Sequence, residues 1–159
     1  MDRDELIIQK RQEYLNYIEE HINNVKKAWA NLISITAIQS FLAGFDNSRQ
    51  LIAITADNVN VHDKSKYSEE EFEPYRKNFF PINDKEKEEN LVDFNLAWQH
   101  HKDNNKHHWD YWKERGLTND MPFVYVVEMF CDHAAMSIKF GGTALEWFKD
   151  QLNKKEIIM

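Results

Sequence analysis

Apolar side chains return along most of the chain at steps of three and four, separated by Lys, Glu, Gln and Asn, which is the period of amphipathic helices. Residues 4–29 form the first such stretch. Tyr14, Ile18 (or Tyr17), His21, Val25 and Ala28 share one of its faces, so the His21 imidazole is expected to point inward. Residues 32–42 read as a second apolar helix closed by Gly44, and Asp46, Asn47 or Ser48 can start a third. Leu51, Thr55, Asn58 and His62 fall on one face of that third helix, which puts the dipeptide His62-Asp63 at or just past its end. Ser68-Glu69-Glu70-Glu71 has the form of a capping box, with Glu71 reaching back to the serine, and it opens a short helix that ends before Pro81.

The charged run at residues 83–90 reads as a solvated patch leading into a fifth helix. There Leu91, Phe94, Leu96 and Trp98 supply apolar surface and His100 and His101 come last. Turn-formers at residues 103–106 break it, and His107-His108-Trp109-Asp110-Tyr111-Trp112 follows. After a loop over residues 116–122, with Asp120 as N-cap and Pro122 in the first turn, residues 123–140 are apolar nearly all round and are expected to be central. Glu128, Asp132 and His133 are the exceptions. Gly141-Gly142 ends this helix, and Thr143 caps a last one carrying Leu145, Trp147 or Phe148, and Leu152; the tail from Lys154 is expected to fray. With four glycines and three prolines for punctuation, the prediction is an all-α protein, a single compact multi-helix domain spanning residues 1–159.

Composition narrows the function classes. A 42% hydrophobic and 13% aromatic content excludes a disordered chain, and a net charge of -7 argues against a general nucleic-acid or membrane surface. A phosphorylated small molecule stays compatible with an acidic protein where a metal and local lysines reverse the field. One cysteine, Cys131, excludes an internal disulfide framework and any multi-cysteine zinc site, leaving metal binding to histidines and carboxylates. No run of about 18 apolar residues and no basic-then-apolar leader is visible, so a cytoplasmic protein is expected.

The candidate chemistry centres on His62-Asp63, which offers an imidazole nitrogen and a carboxylate oxygen to one ion. His21, the cluster of His100, His101, His107 and His108, and Asp132 accompany it. Carboxylates mixed with imidazoles suit manganese, iron, cobalt or zinc. A buried Asp132 must be paired, protonated or metal-bound, because an isolated buried carboxylate is costly; a salt bridge is its plain alternative, as a single hydrogen bond is for His21.

The order His21, then His62-Asp63, then Asp132, on separate helices, resembles the HD-domain metal-dependent phosphohydrolase superfamily. Lys66 fits that superfamily's His-Asp-x-x-Lys variant, in which the lysine lies beside the substrate phosphate. A closer resemblance is to a family of uncharacterised bacterial and phage proteins marked by His-Asp-x-Ser-Lys-x-Ser, Glu-Phe-x-x-Tyr, Ala-Trp and His-His-Trp-x-Tyr-Trp. Here these are residues 62–68, Glu71-Phe72 with Tyr75, Ala97-Trp98, and residues 107–112.

The superfamily resemblance implies a metal held by His21, His62, Asp63 and Asp132, with activated water as nucleophile, Asp63 orienting that water and Lys66 offering a point charge to phosphate. Some members hold two ions, which implies a second site using His101 with His107 or His108, bridged by Asp63; a polar turn, or phosphate binding by imidazolium, is the alternative. Trp109 and Trp112 are candidates to stack on a nucleobase, with a core role as the alternative, and Arg76 is a candidate phosphate contact or a surface residue. The expected activity is hydrolysis of a small phosphorylated compound, with a nucleotide as the favoured class, and one or two divalent ions. A di-iron oxygenase and a non-catalytic metal- or nucleotide-binding protein are the competing classes, and oligomerisation stays open.

Overall fold

The computed structural model describes residues 2–154, with side chains as far as Asp150. Among these residues the chain is all-α, with nine α-helices, two 3₁₀ turns and no strand. The tail expected to fray from Lys154 lies almost wholly outside the described residues. No helix among them is long and apolar enough to cross a membrane. Contacts within the chain gather into two units. The first takes the chain through Glu20 together with Asp63–Gly116, and the second takes His21–His62 together with the chain from Leu117 onward.

Helix α1 (Arg3–Ser34) contributes to both units, and the face expected from its periodicity is the buried one: Tyr14, Ile18, His21, Val25 and Ala28 are all buried. It runs on past residue 29 and stops where Ile35 turns extended, so α2 (Thr36–Ala43) begins later than the apolar run at 32–42 implies. Gly44 does close α2, but in a right-handed conformation (φ -73°) that any residue can adopt. After it comes α3 (Ser48–Val61), which opens at Asn47.

In the second unit, Val25, Ala28 and Trp29 of α1 pack with Val59 of α3 and with Cys131 and Ala135 of α8 (Phe123–Phe140). Helix α8, expected to be central because its sequence is apolar nearly all round, buries one side. Its buried positions, Val124, Glu128, Cys131 and Ala135, step by four and three, so they form a single stripe. Phe130 and Phe140 are exposed. Pro122 occupies the cap of α8 itself, one position earlier than expected, and Asp120 sits in the 3₁₀ turn Thr118–Asp120. Between α8 and α9 (Ala144–Lys154), Gly141 and Gly142 have φ of 84° and 81°, a left-handed backbone that glycine adopts without a Cβ penalty. Thr143 then forms a capping box: its Oγ1 accepts from the Glu146 N–H at 3.2 Å, and a Glu146 carboxylate oxygen accepts from the Thr143 N–H at 2.7 Å.

The first unit is built on aromatic contacts. Tyr14 of α1 packs against Phe72 and Phe80, and Tyr75 of α4 (Phe72–Phe79) against Phe79 and Phe94. The charged run is not a plain solvated patch but contains a helix, α5 (Asp84–Glu89), capped by the Asn83 side chain, which accepts from the Glu86 N–H at 2.9 Å. A run without an apolar face gives no helical period to read. Helix α6 (Leu91–Asn104) also differs from expectation. Leu91, Val92 and Leu96 are exposed, and its buried face is Ala97, His101 and Lys102. The turn-formers end it only at Asn105, and a short α7 (Trp109–Lys113) follows.

Candidate metal centres

Helix α3 ends on His62, whose backbone leaves the helical region (φ -47°, ψ 128°). Asp63 then turns left-handed (φ 56°, ψ 13°), the one non-glycine residue with positive φ among those described. Aspartate tolerates this conformation better than most side chains. Asn105 clamps the turn in the first unit: its Oδ1 accepts from the Asp63 N–H at 3.2 Å, while its Nδ2 donates to Ser65 Oγ at 2.6 Å and to the His101 carbonyl at 2.9 Å. The Lys66 N–H bonds to the Asp63 carbonyl at 3.0 Å, starting the 3₁₀ turn Lys64–Tyr67. That turn brings Lys66 Nζ to 2.6 Å from Asp63 Oδ2.

In the second unit, three donor atoms converge. His21 Nε2 lies 3.0 Å from Asp132 Oδ1 and 3.4 Å from His62 Nε2, and His62 Nε2 lies 3.8 Å from the same Asp132 oxygen. The other face of the His62 ring is also engaged, with Nδ1 at 2.9 Å from Glu128 Oε1. Glu128 and Asp132 are four residues apart on α8, so both carboxylates project from one side of that helix. Both histidines are buried, at 5% exposure for His21 and 1% for His62.

In the first unit, His101 Nε2 lies 3.2 Å from Asp63 Oδ1 and 2.9 Å from His108 Nε2, and His107 Nε2 lies 3.7 Å from Asp63 Oδ1. Asp63, His107 and His108 each present a ligand atom, all within 4.8 Å of one another. The Nδ1 side of His101 meets Glu71 Oε2 at 2.7 Å, and the other Glu71 oxygen meets His100 Nδ1 at 2.7 Å. Trp98 walls the cluster, stacked on His101 at 5.8 Å between ring centres and edge-on to His108 at 5.0 Å.

Bonds of about 2.0–2.2 Å from an ion to nitrogen and oxygen ligands leave neighbouring donors about 3.0–3.5 Å apart. The separations in the two clusters, 2.9–3.8 Å, bracket that spacing, so these histidine and carboxylate groups can hold a metal ion. The carboxylates favour positive charge there, whether a proton or a metal ion. Burial works against charge on His101, but the Asp63 and Glu71 carboxylates outweigh it and hold its pKa above the ordinary imidazole value. Burial would raise Glu71, and the His101 and His100 ring nitrogens instead hold it below the usual carboxylate value. Cys131, behind the second cluster, is pushed up to about 12 by burial, with Glu128 and Asp132 adding to the shift, so it is a packed thiol and not a ready thiolate.

Each predicted site residue now has a place. His21, His62 and Asp132 come together in the second unit, and Asp63, His101, His107 and His108, with Lys66 on Asp63, in the first. Arg76 is corrected: it is 1% exposed, with its guanidinium bound to both Glu86 oxygens and to Glu73, an engagement that builds the α4 to α5 corner and withholds it from a substrate phosphate. Trp112 is a core residue, 8% exposed, whose indole N–H donates to the Lys106 carbonyl at 2.7 Å, so it has no face to offer a base. Trp109 is partly buried at the start of α7. The Glu71 carboxylate, expected to reach back to Ser68, instead meets two histidines 29 and 30 residues away. Glu128 stood out in the sequence only as a charge in an apolar run.

The family model described as a family of unknown function (DUF5662) matches residues 10–158. The chain belongs to that family. No curated protein and no solved structure matches it.

Proposed function

We propose that this DUF5662 member is a divalent-metal-dependent phosphohydrolase acting on a small phosphorylated compound, a nucleotide being the favoured class. The observation that carries the reading is the convergence of His21 Nε2, His62 Nε2 and Asp132 Oδ1 within 3.0–3.8 Å of one another. These are three of the four residues that the resemblance to the HD-domain superfamily marks as ligands, and the fourth, Asp63, follows His62 directly in the chain.

His21, His62 and Asp132 would hold one ion, and Asp63 with His101, His107 and His108 a second. Manganese, iron, cobalt or zinc suits both donor sets. Such an ion supplies Lewis acidity, making water nucleophilic near neutral pH and offsetting charge on phosphoryl oxygens. The chain's own residues do the rest. Asp63 presents Oδ1 toward His101 and His107 while Lys66 holds Oδ2, which orients the carboxylate to accept a proton from water. Lys66, only 14% exposed at its side chain, carries a compact positive charge into the site, where an arriving phosphate competes with Asp63 for it.

The test is metal content of protein purified without an affinity tag or added metal, for the wild type beside His62→Ala and Asp132→Ala, followed by phosphate release from a panel of nucleotides. Stoichiometric metal lost in both variants, with turnover abolished in Asp63→Ala, is the expected result. Unchanged turnover in Asp63→Ala overturns the hydrolase reading. Iron with a charge-transfer spectrum under air would point to oxygen chemistry, and nucleotide binding without turnover under every metal to a binding protein.

A further inference from the structure

Two buried glutamates outside the ligand sets make the same contact. Glu128 Oε1 lies 2.9 Å from Nδ1 of His62, and Glu71 Oε2 lies 2.7 Å from Nδ1 of His101. In each case the opposite ring nitrogen, Nε2, faces an aspartate oxygen and a second imidazole: Asp132 and His21 for His62, and Asp63 and His108 for His101. Glu128 is 4% exposed and Glu71 fully buried, so water does not compete for either contact.

An ionised carboxylate only accepts hydrogen bonds, and a neutral imidazole carries its proton on one nitrogen at a time. We infer that Glu128 and Glu71 are positioning residues that hold His62 and His101 in the Nδ1–H tautomer, aiming the Nε2 lone pair of each ring at its metal centre. This rests on the metal reading proposed above for what the aimed lone pairs bind. The carboxylate also makes the ring a better donor to a cation and fixes its rotation, roles for which loss of an outer partner typically costs about 10–100-fold in metal affinity. Glu128 Oε1 meets His62, and Glu71 spreads its two oxygens over His100 and His101. His100 therefore braces Glu71 from a half-buried position, and its removal leaves the bond to His101 in place.

The experiment has two arms. In metal-free protein, at a pH high enough for each ring to have lost its second proton, nitrogen-15 NMR of the histidine rings reads the tautomers directly. The wild type should show His62 and His101 protonated at Nδ1, and Nε2–H forms in both would overturn the inference whether or not the protein ever binds metal. In the second arm, cobalt(II) titration of Glu128→Gln and Glu71→Gln, which keep size and burial, should show one site weakened by about 10–100-fold in each variant. His100→Ala should weaken neither by more than about threefold. Affinities of Glu128→Gln and Glu71→Gln within twofold of the wild type would also overturn it. A wild type that takes up no cobalt sinks the phosphohydrolase proposal instead, and the tautomer arm still decides this one.

Discussion

His62 stands between two carboxylates on one helix, Glu128 and Asp132 of α8, whereas His101 stands between Glu71, at the entry to α4, and Asp63, on the turn after α3. The chemistry around each ring is the same and the scaffolding is not. In the second unit a four-residue spacing on one rigid helix sets both oxygens, so positioning comes with the helix. In the first unit the oxygens come from a left-handed turn and a helix cap, and Asn105, Lys66 and His100 each brace them from a different element or turn. The price of building a site from turns is a larger supporting cast, and that cast is where substitution should tell the two clusters apart.

The largest effect is expected from the ligands. Wild-type protein should carry two equivalents of metal, with His21→Ala and Asp63→Ala each losing one, read by elemental analysis after dialysis. Loss of both equivalents in His21→Ala would break the comparison. Next is Arg76→Met, which removes a buried guanidinium and takes the charge partner from the partly buried carboxylates of Glu86 and Glu73, at about 3 kcal/mol in urea unfolding.

That pair also fixes a pH dependence. The Arg76 hydrogen bond holds the Glu86 carboxyl below its ordinary value of 4.5. A lowered folded pKa means stability that is present above the unfolded value and lost as pH falls through the folded one. Wild-type stability should therefore drop on acidification below about 4.5 more steeply than that of Arg76→Met, as followed by circular dichroism.

Asn105→Ala should cost about 2 kcal/mol, since it strands the Asp63 N–H, and should weaken metal binding in the first cluster while leaving the second unchanged. The smallest effect is expected from Thr143→Ala. Loss of this helix cap costs about 1 kcal/mol and should move neither cluster's affinity, and a drop in the second would show that α9 tunes α8.

The same contrast explains what could be read before the fold was known. His21 was legible because Tyr14, Ile18, Val25 and Ala28 surround it at helical steps, and Asp132 because a charge in an apolar helix demands a partner. Glu71 was not legible. Ser68-x-x-Glu71 is a valid local capping signal, and only tertiary packing brings in His100 and His101 to compete for the carboxylate. Helix α5 was missed for want of an apolar face, and Arg76 and Trp112 were offered to a substrate because sequence does not show that Glu86 and the Lys106 carbonyl already hold them.

The left-handed backbone of Asp63 also restricts how this position can change over generations. Most side chains pay a steric penalty at φ 56°, with asparagine among the few that do not, while glycine would relieve the backbone entirely. Neither replacement keeps the charge, and glutamate, which keeps it, is a poor fit for the turn. Every single step away from aspartate thus gives up either the shape or the charge, so a drifting lineage would have to rebuild the turn before it could exchange this residue.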